Sequence, residues 1–322
     1  MHMLTRRRML SGSAFALAMG LQEPLVWSGD AKAQEARAES QGFNRYMVGD
    51  VEVTALYDGI WKKEHDPAFI KNASVEETKV ALAKAGQTTD YVPIPLTVIV
   101  LKIGDRRVMI DSGSGQGQWQ PTATRLAESM KAAGIAAESI STILVSHFHP
   151  DHIYGLMEKG TDAAIYPNAE IVVHAAEWKW WMEPGRVESL PQARKALGAR
   201  IQRVFPGWKN FRLAEQDTEV APGVRLVSAP GHTPGHAAYH LTSGAAQLMI
   251  SNDVAYVPAL LAPHPEWQGA YDQDGPTAVT TRRALLDRVI AEKMSICGAH
   301  FPFPGAGTFV KDGAGYVFTP TI

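Results

Sequence analysis

The chain has 322 residues, 45% hydrophobic and 20% charged, with a formal net charge of -2. This is ordinary globular composition, long enough to bury a large core without cross-links, and it excludes collagen, coiled coil and wholesale disorder. The lone cysteine excludes a disulfide framework, a zinc finger and a multi-Cys iron–sulfur site, and the faintly acidic balance argues against nucleic acid as a partner.

Residues 1–33 read as an export signal. Arg6-Arg7-Arg8 is a twin-arginine pattern, Ser13–Leu21 is an apolar run, and Ala31-Lys32-Ala33 offers a cleavage site. The run is too short for a stable membrane anchor, so a periplasmic or secreted location is expected. Residues 34–42 read as a polar linker, which leaves 43–322 as one domain. Residues 47–57 and 95–111 read as strands, with a hairpin at Gly104-Asp105. Residues 60–95 suggest a lid-like insertion, and Asp58 in Tyr57-Asp58-Gly59 a turn. A glycine-rich loop spans residues 111–117, and helical periodicity over 121–134 stops at Gly134. Strands follow at 142–146, 224–229 and 247–252, a helix at 276–294, and a terminal hairpin after His300. This alternation predicts an α/β domain with two sheets covered by helices.

The chemistry concentrates at the ends of these strands. His147-Phe148-His149-Pro150-Asp151-His152 puts three imidazoles and a carboxylate into six residues just after the strand 142–146. A turn there can aim all of them inward. Gly231-His232-Thr233-Pro234-Gly235-His236, Ser251-Asn252-Asp253 and Gly298-Ala299-His300 each follow another apolar run. In an α/β fold, strand ends on one edge converge on the site. No G-x-S-x-G elbow is present, and Cys297, within an apolar run, reads as core.

The order H-x-H-x-D-H, His, Asp, His resembles the metallo-β-lactamase superfamily, in its dinuclear hydrolase branch. The resemblance implies an αβ/βα sandwich, two mixed β-sheets flanked by helices, with two metals at the edge between them. It assigns His147, His149 and His232 to one metal, Asp151, His152 and His300 to the other, and Asp253 as the bridge. It makes Asp111 a ligand-orienting carboxylate, with Thr233 beside it in that supporting role. His236 reads as support because the seven-ligand set is full. Nitrogen and oxygen donors suit Zn²⁺, and also Mn²⁺, Co²⁺ or Fe²⁺.

His300 with the Phe301–Gly305 run, the Gly313–Pro320 ending and Tyr166-Pro167-Asn168-Ala169 resemble the methyl parathion hydrolase group, which includes lactonases. That implies a homodimer acting on a small-molecule ester, lactone or phosphotriester. Residues 256–271 depart from the group's pattern. The expected mechanism is attack by a metal-bridging hydroxide, with Asp253 holding the metals and Asp151 also passing a proton to the leaving group. Dedicated organophosphate hydrolysis and an iron-dependent persulfide dioxygenase remain as alternatives. Phe148, Trp178, Trp180, Trp181, Tyr256, Trp267 and Tyr271 are the expected pocket aromatics, with Phe205 and Trp208 as further candidates.

Overall fold

A computed structural model of the protein describes residues 37–321. The export signal read at residues 1–33 lies outside the described residues. Two seven-stranded sheets stack face to face. The first runs β1 (Phe43–Val48), β2 (Val51–Lys63), β3 (Val92–Ile103), β4 (Arg106–Ile110), β5 (Ile140–Val145), β6 (Glu170–His174) and β7 (Phe211–Ala214). The second contains β8 (Glu219–Ala221), β9 (Val224–Ser228), β10 (Ala237–Ser243), β11 (Ala246–Ile250), β12 (Ser295–Cys297), β13 (Ala306–Asp312) and β14 (Gly315–Pro320). Strands β4 to β7 are parallel, as are β11 and β12, and the other neighbours are antiparallel. Both sheets are therefore mixed.

Helices cover the outer faces. They are α1 (Val75–Lys84), α2 (Leu126–Ala132), α3 (Pro150–Ile153), α4 (Ala175–Trp181), α5 (Arg186–Ser189), α6 (Gln192–Val204), α7 (Pro258–Leu261) and α8 (Gly275–Ala291). The central strands alternate between two cores. Val98, Val100, Ile143, Val145, Ile171 and Val173 pack with Leu126 and Met130 of α2 and Leu197 and Ile201 of α6. Their neighbours Ile99, Leu101, Leu144 and Val172 pack between the sheets against Leu226, Tyr239, Leu241, Leu248 and Ile250. On the far side, Leu285, Leu286 and Val289 of α8 cover Ala238, Met249 and Ile296. A sheet buried on both faces favours an apolar residue at every position, which is why 98–101 and 143–145 read as unbroken runs. Each large aliphatic side chain so buried contributes roughly 1.5–3 kcal/mol.

Local chemistry corrects several expected boundaries. Residues 47–57 span two strands, turning at Gly49 in the left-handed region (φ 57°). Strand β2 then continues to Lys63, so less of 60–95 stands apart than a lid would. Helix α1 sits there, started by a capping box: Glu77 N donates to Ser74 Oγ, and Ser74 N donates to the Glu77 carboxylate. Asp58 is no turn residue. A bulge between Tyr57 and Gly59 points it inward, where it accepts from Ser114 N and Oγ, both at 2.9 Å, and from Leu126 N at 3.1 Å. That anchorage fixes residues 122–125 and delays α2 to Leu126. Part of the expected linker is also ordered: residues 37–41 are helical, and Arg125 donates to Glu39 O and Ser40 O. Asp274 caps α8, donating no proton but accepting from Thr277 N at 3.0 Å.

Candidate metal centre

Four strand ends deliver the site. After β5 the chain stays extended through His149, and Pro150, whose fixed φ suits a helix start, opens α3. The first turn of α3 carries Asp151 and His152. The loop from β9 to β10 brings His232, the 3₁₀ turn Asn252–Ala255 after β11 brings Asp253, and the loop after β12 brings His300.

Six donor atoms converge in two groups of three around the Asp253 carboxylate. In the first, His149 Nδ1 lies 2.9 Å from His147 Nε2 and 3.0 Å from His232 Nε2. Asp253 Oδ2 lies 3.2 Å from His232 Nε2 and 4.0 Å from His147 Nε2. In the second, Asp151 Oδ2 lies 3.3 Å from His300 Nε2 and 3.5 Å from His152 Nε2. Asp253 Oδ1 lies 3.4 Å from both of those nitrogens. One oxygen of Asp253 therefore faces each group. All seven side chains are buried except Asp151, at 11% exposure.

The far ring nitrogens are tied back, which decides the tautomers. His152 Nδ1 donates to Asp111 Oδ2 at 2.7 Å, His232 Nδ1 to Asp272 Oδ1 at 3.0 Å, and His300 Nδ1 to Pro95 O at 2.8 Å. Each ring is thereby oriented with Nε2 inward, available as a lone pair to a metal. Asp111 also accepts from Ser146 N and Oγ, each at 2.7 Å. Its backbone is left-handed (φ 59°), a strain that a non-glycine residue carries only where its surroundings enforce it.

Without a cation, the carboxylates of the second group are balanced only by protons on His152 and His300, the positive charge that a metal would replace. His152 Nε2 and Asp253 Oδ1 are buried and make no hydrogen bond, although they are 3.4 Å apart. Donor separations of 2.9 to 4.0 Å bracket the roughly 3.3–3.6 Å that tetrahedral coordination at about 2.0–2.2 Å per bond requires. The residues present therefore fit two divalent metals. The charges agree. Burial, helped by His152, His149 and His232, pushes the His147 imidazole well below its ordinary value. Burial, then His232 and Arg194, does the same to His149. Burial also opposes charge on His152 and His300. The carboxylates outweigh it, raising His152 well above its ordinary value and His300 to about 10. Burial would raise Asp253, but His300 and His152 hold it well below the carboxylate range. The second group thus binds positive charge strongly, and the first offers neutral rings.

The structure brings the seven residues together and sets Asp111 against the outer nitrogen of His152. Thr233 supports the site differently: its hydroxyl donates to Glu177 Oε2 at 2.6 Å. His236 Nε2 accepts from Asp253 N at 3.2 Å, fixing the bridging residue's backbone. The aromatic expectation needs correction. Phe148 points away from the ligands and stacks on Phe205 at 5.0 Å, inside the core. Trp181 is fully buried and donates to Glu177, Trp178 packs on Phe211, and Trp180 lies beneath Arg186. They pack there because α4 follows β6 directly and faces α6. Phe205 and Trp208 belong to the same core. Trp267 is buried, stacks on His264 at 4.1 Å and packs in the same cluster as Phe69 and Tyr256.

Tyr256 and Tyr271 do lie beside the ligands, at the inner end of a chain of rings. Tyr256 is 5.3 Å from His232 and 6.3 Å from Tyr271. Tyr271 lies 5.9 Å from Trp61 and 6.0 Å from Phe69, and Trp61 lies 5.1 Å from Trp119. The Tyr256 hydroxyl is buried and has no hydrogen-bond partner. Sequence reading missed Trp61, Phe69 and Trp119, which come from distant segments. It also missed two carboxylates, Glu177 and Asp272. Glu177 is fully buried and accepts from Phe148 N (2.9 Å), Trp181 Nε1 (2.8 Å) and Gly235 N (3.1 Å) as well as Thr233, joining two ligand loops.

Comparison with known proteins follows this geometry. An N-acyl homoserine lactonase of a Bacillus species is 24% identical over 230 residues, spanning 66% of this chain and 83% of the relative. Among solved structures, AidC, a dizinc quorum-quenching lactonase in complex with an N-acyl-L-homoserine product, superposes with a TM-score of 0.82 at 25% identity. That match covers 87% of this chain and 98% of the other. The hydrolase AbOPH superposes with a TM-score of 0.79 at 26% identity over the same shares. The metallo-beta-lactamase superfamily profile matches residues 92–300, well over half the sequence and every ligand position, and the chain belongs to that superfamily.

Proposed function

We propose that this protein is a two-metal hydrolase that opens lactones, with aryl esters as secondary substrates. The observation that carries the reading is Asp253, with one carboxylate oxygen facing each donor group. The lactonase relatives support the substrate class.

Two divalent ions held by these residues would supply Lewis-acid polarisation of the acyl oxygen and a hydroxide nucleophile at neutral pH. The remaining work belongs to the chain. His147 and His149 present neutral nitrogens on one side, with His232 Nε2 beside them, and Asp253 fixes the spacing of the two groups. Tyr256 carries a buried hydroxyl without a hydrogen-bond partner on a ring beside His232, and in this reading it donates to the substrate's carbonyl oxygen as charge develops there. The rings of Tyr271, Trp61 and Trp119 extend outward as a surface for an acyl or aryl arm. Water adds to the acyl carbon, the ring C–O bond breaks, and the alkoxide takes a proton. Asp151, the most exposed of the seven, is placed to pass that proton.

The test is a comparison of kcat/KM for an N-acyl homoserine lactone, an aryl lactone, an aryl ester and a dimethyl aryl phosphotriester, with metal content measured. Asp253→Ala serves as the blank. Lactones are expected to lead by orders of magnitude. A leading phosphotriester would make this a dedicated organophosphate hydrolase, and one iron per chain would point to oxygenase chemistry. The same reading carries Zn²⁺ as the metal, export by residues 1–33 and a homodimer. Elemental analysis, periplasmic fractionation and light scattering check these in turn. Among the described residues, no helix is long and apolar enough to cross a membrane.

A further inference from the structure

Asp272 occupies an unusual position. It is 2% exposed, and three donors meet on its carboxylate: His232 Nδ1 at 3.0 Å on Oδ1, with Gly269 N at 3.3 Å and Arg282 Nη2 at 3.4 Å on Oδ2. Arg282 is itself fully buried. It donates to Val254 O at 2.8 Å and to Pro265 O and Trp267 O, each at 2.9 Å, so it grips both ends of the segment after Asp253. One carboxylate thus touches a metal-binding histidine and the loop that carries the substrate-facing aromatics.

That loop is also tied to the segment before α1. Lys71 N donates to Gln268 O and Ala270 N to Phe69 O, both at 2.8 Å, with a bridge between Ile70 and Gly269. Lys71 Nζ adds a bond to Asp272 O at 3.2 Å. The two segments form a short ribbon that holds Phe69 and Tyr271. Gly269 lies hard against Tyr256, since a Cβ at that position would sit 1.4 Å from the Tyr256 hydroxyl oxygen. The path closes on itself: His232 to Asp272, to Gly269, to Tyr256, and back to the His232 ring at 5.3 Å.

We infer that Asp272 is a positioning residue that couples metal binding at His232 to the order of the aromatic wall, so that the wall is fully formed only when the metal site is filled. An anionic acceptor fixes the Nδ1–H tautomer of His232 and leaves Nε2 free to ligate. The same charge neutralises Arg282, which otherwise stands buried and unpaired. Asparagine cannot serve three donors, because its NH₂ must face at least one of them. The inference rests on the two-metal reading of the site.

The experiment pairs metal affinity with amide hydrogen exchange in wild type and Asp272→Asn. In the wild type, loading metal is expected to slow exchange of the Lys71, Gly269 and Ala270 amides at least tenfold. In Asp272→Asn, affinity for one of the two ions is expected to fall by about 10- to 100-fold, and metal is expected to lose its effect on those amides. Ribbon exchange that ignores metal in the wild type overturns the coupling, whether or not the variant folds. So does a folded variant that keeps both affinities within threefold and a metal-dependent ribbon. Wild type that binds fewer than two ions overturns the two-metal reading instead. Arg282→Lys, which keeps the charge but cannot reach all three carbonyls, is expected to loosen the ribbon and, by linkage, to weaken metal binding with it; a loosened ribbon with both affinities unchanged overturns the coupling.

Discussion

Tyr256 shows how a single residue divides its labour. Its ring packs on His232 and Phe69, while its hydroxyl is left without a partner in a buried site. A polar atom kept unpaired at that cost needs an acceptor that arrives later. Tyr256→Phe is expected to lower kcat by about 100-fold or more, in the range seen on losing one oxyanion donor, with little change in KM. Steady-state kinetics on a lactone check this. His236 sets a pH dependence. Burial, then His232, pushes it down to about 3, and the neutral ring accepts from Asp253 N. Between about 6.5 and 3 the unfolded chain takes up a proton that the folded one refuses, so stability falls as pH drops. The slope is about 1.4 kcal/mol per pH unit for each such histidine, and His147 and His149 share the sign. His300, raised to about 10, has the opposite sign: its contribution is whole below about 6.5 and is lost as pH climbs. Urea midpoints of the metal-free protein are therefore expected to peak near neutrality, and His236→Gln is expected to flatten the acid side. The seven ligands were legible because the histidine motif is contiguous and the remaining three each follow an apolar run. Asp272 and Glu177 were not, because a lone carboxylate gains its role only from what the fold brings beside it.

Helix α4 illustrates what an element hides. The Trp178-Lys-Trp180-Trp181 cluster signals burial but not a direction, and its tryptophans went to the core. The consequential residue of α4 is Glu177, one helical turn before Trp181. It clamps the His147–His149 segment to the His232–His236 loop, which passes so near that a Cβ on Gly235 would sit 1.9 Å from Glu177 N. Glu177→Gln turns an NH₂ toward donors and is expected to cost about 1–3 kcal/mol of stability, read by urea unfolding. Metal content is expected to fall with it. Gly235→Ala is expected to yield little folded protein, measured as soluble expression. The strands themselves were legible wherever both faces are buried, as in β3 and β5. The bulge at Asp58 and the short α2 were not, because both follow from one buried carboxylate reached across many residues of sequence.

The whole molecule is held from two sides at the site. His147, His149, Asp151 and His152 come from the first sheet, and His232, Asp253 and His300 from the second. Metal therefore stabilises the docking of the sheets as well as the chemistry. At free metal 100-fold above Kd, each ion adds about 2.7 kcal/mol. Chelation is expected to lower Tm clearly, and thermal scans with and without chelator measure it. The two-sheet architecture was legible from the grouping of strands and helices, whereas the pairing of residues 69–72 with 266–272 had no local pattern to announce it.

Strand order has a further consequence. In both sheets every strand pairs with its neighbour in sequence, and the chain finishes the first sheet at Ala214 before beginning the second at Glu219. Residues 215–217 between them are exposed. The polypeptide is thus divisible there into two pieces, each with a complete sheet and an incomplete donor set. Produced separately as 37–216 and 217–321, neither piece holds the full site, and metal uptake becomes a coincidence detector that reports only their reunion.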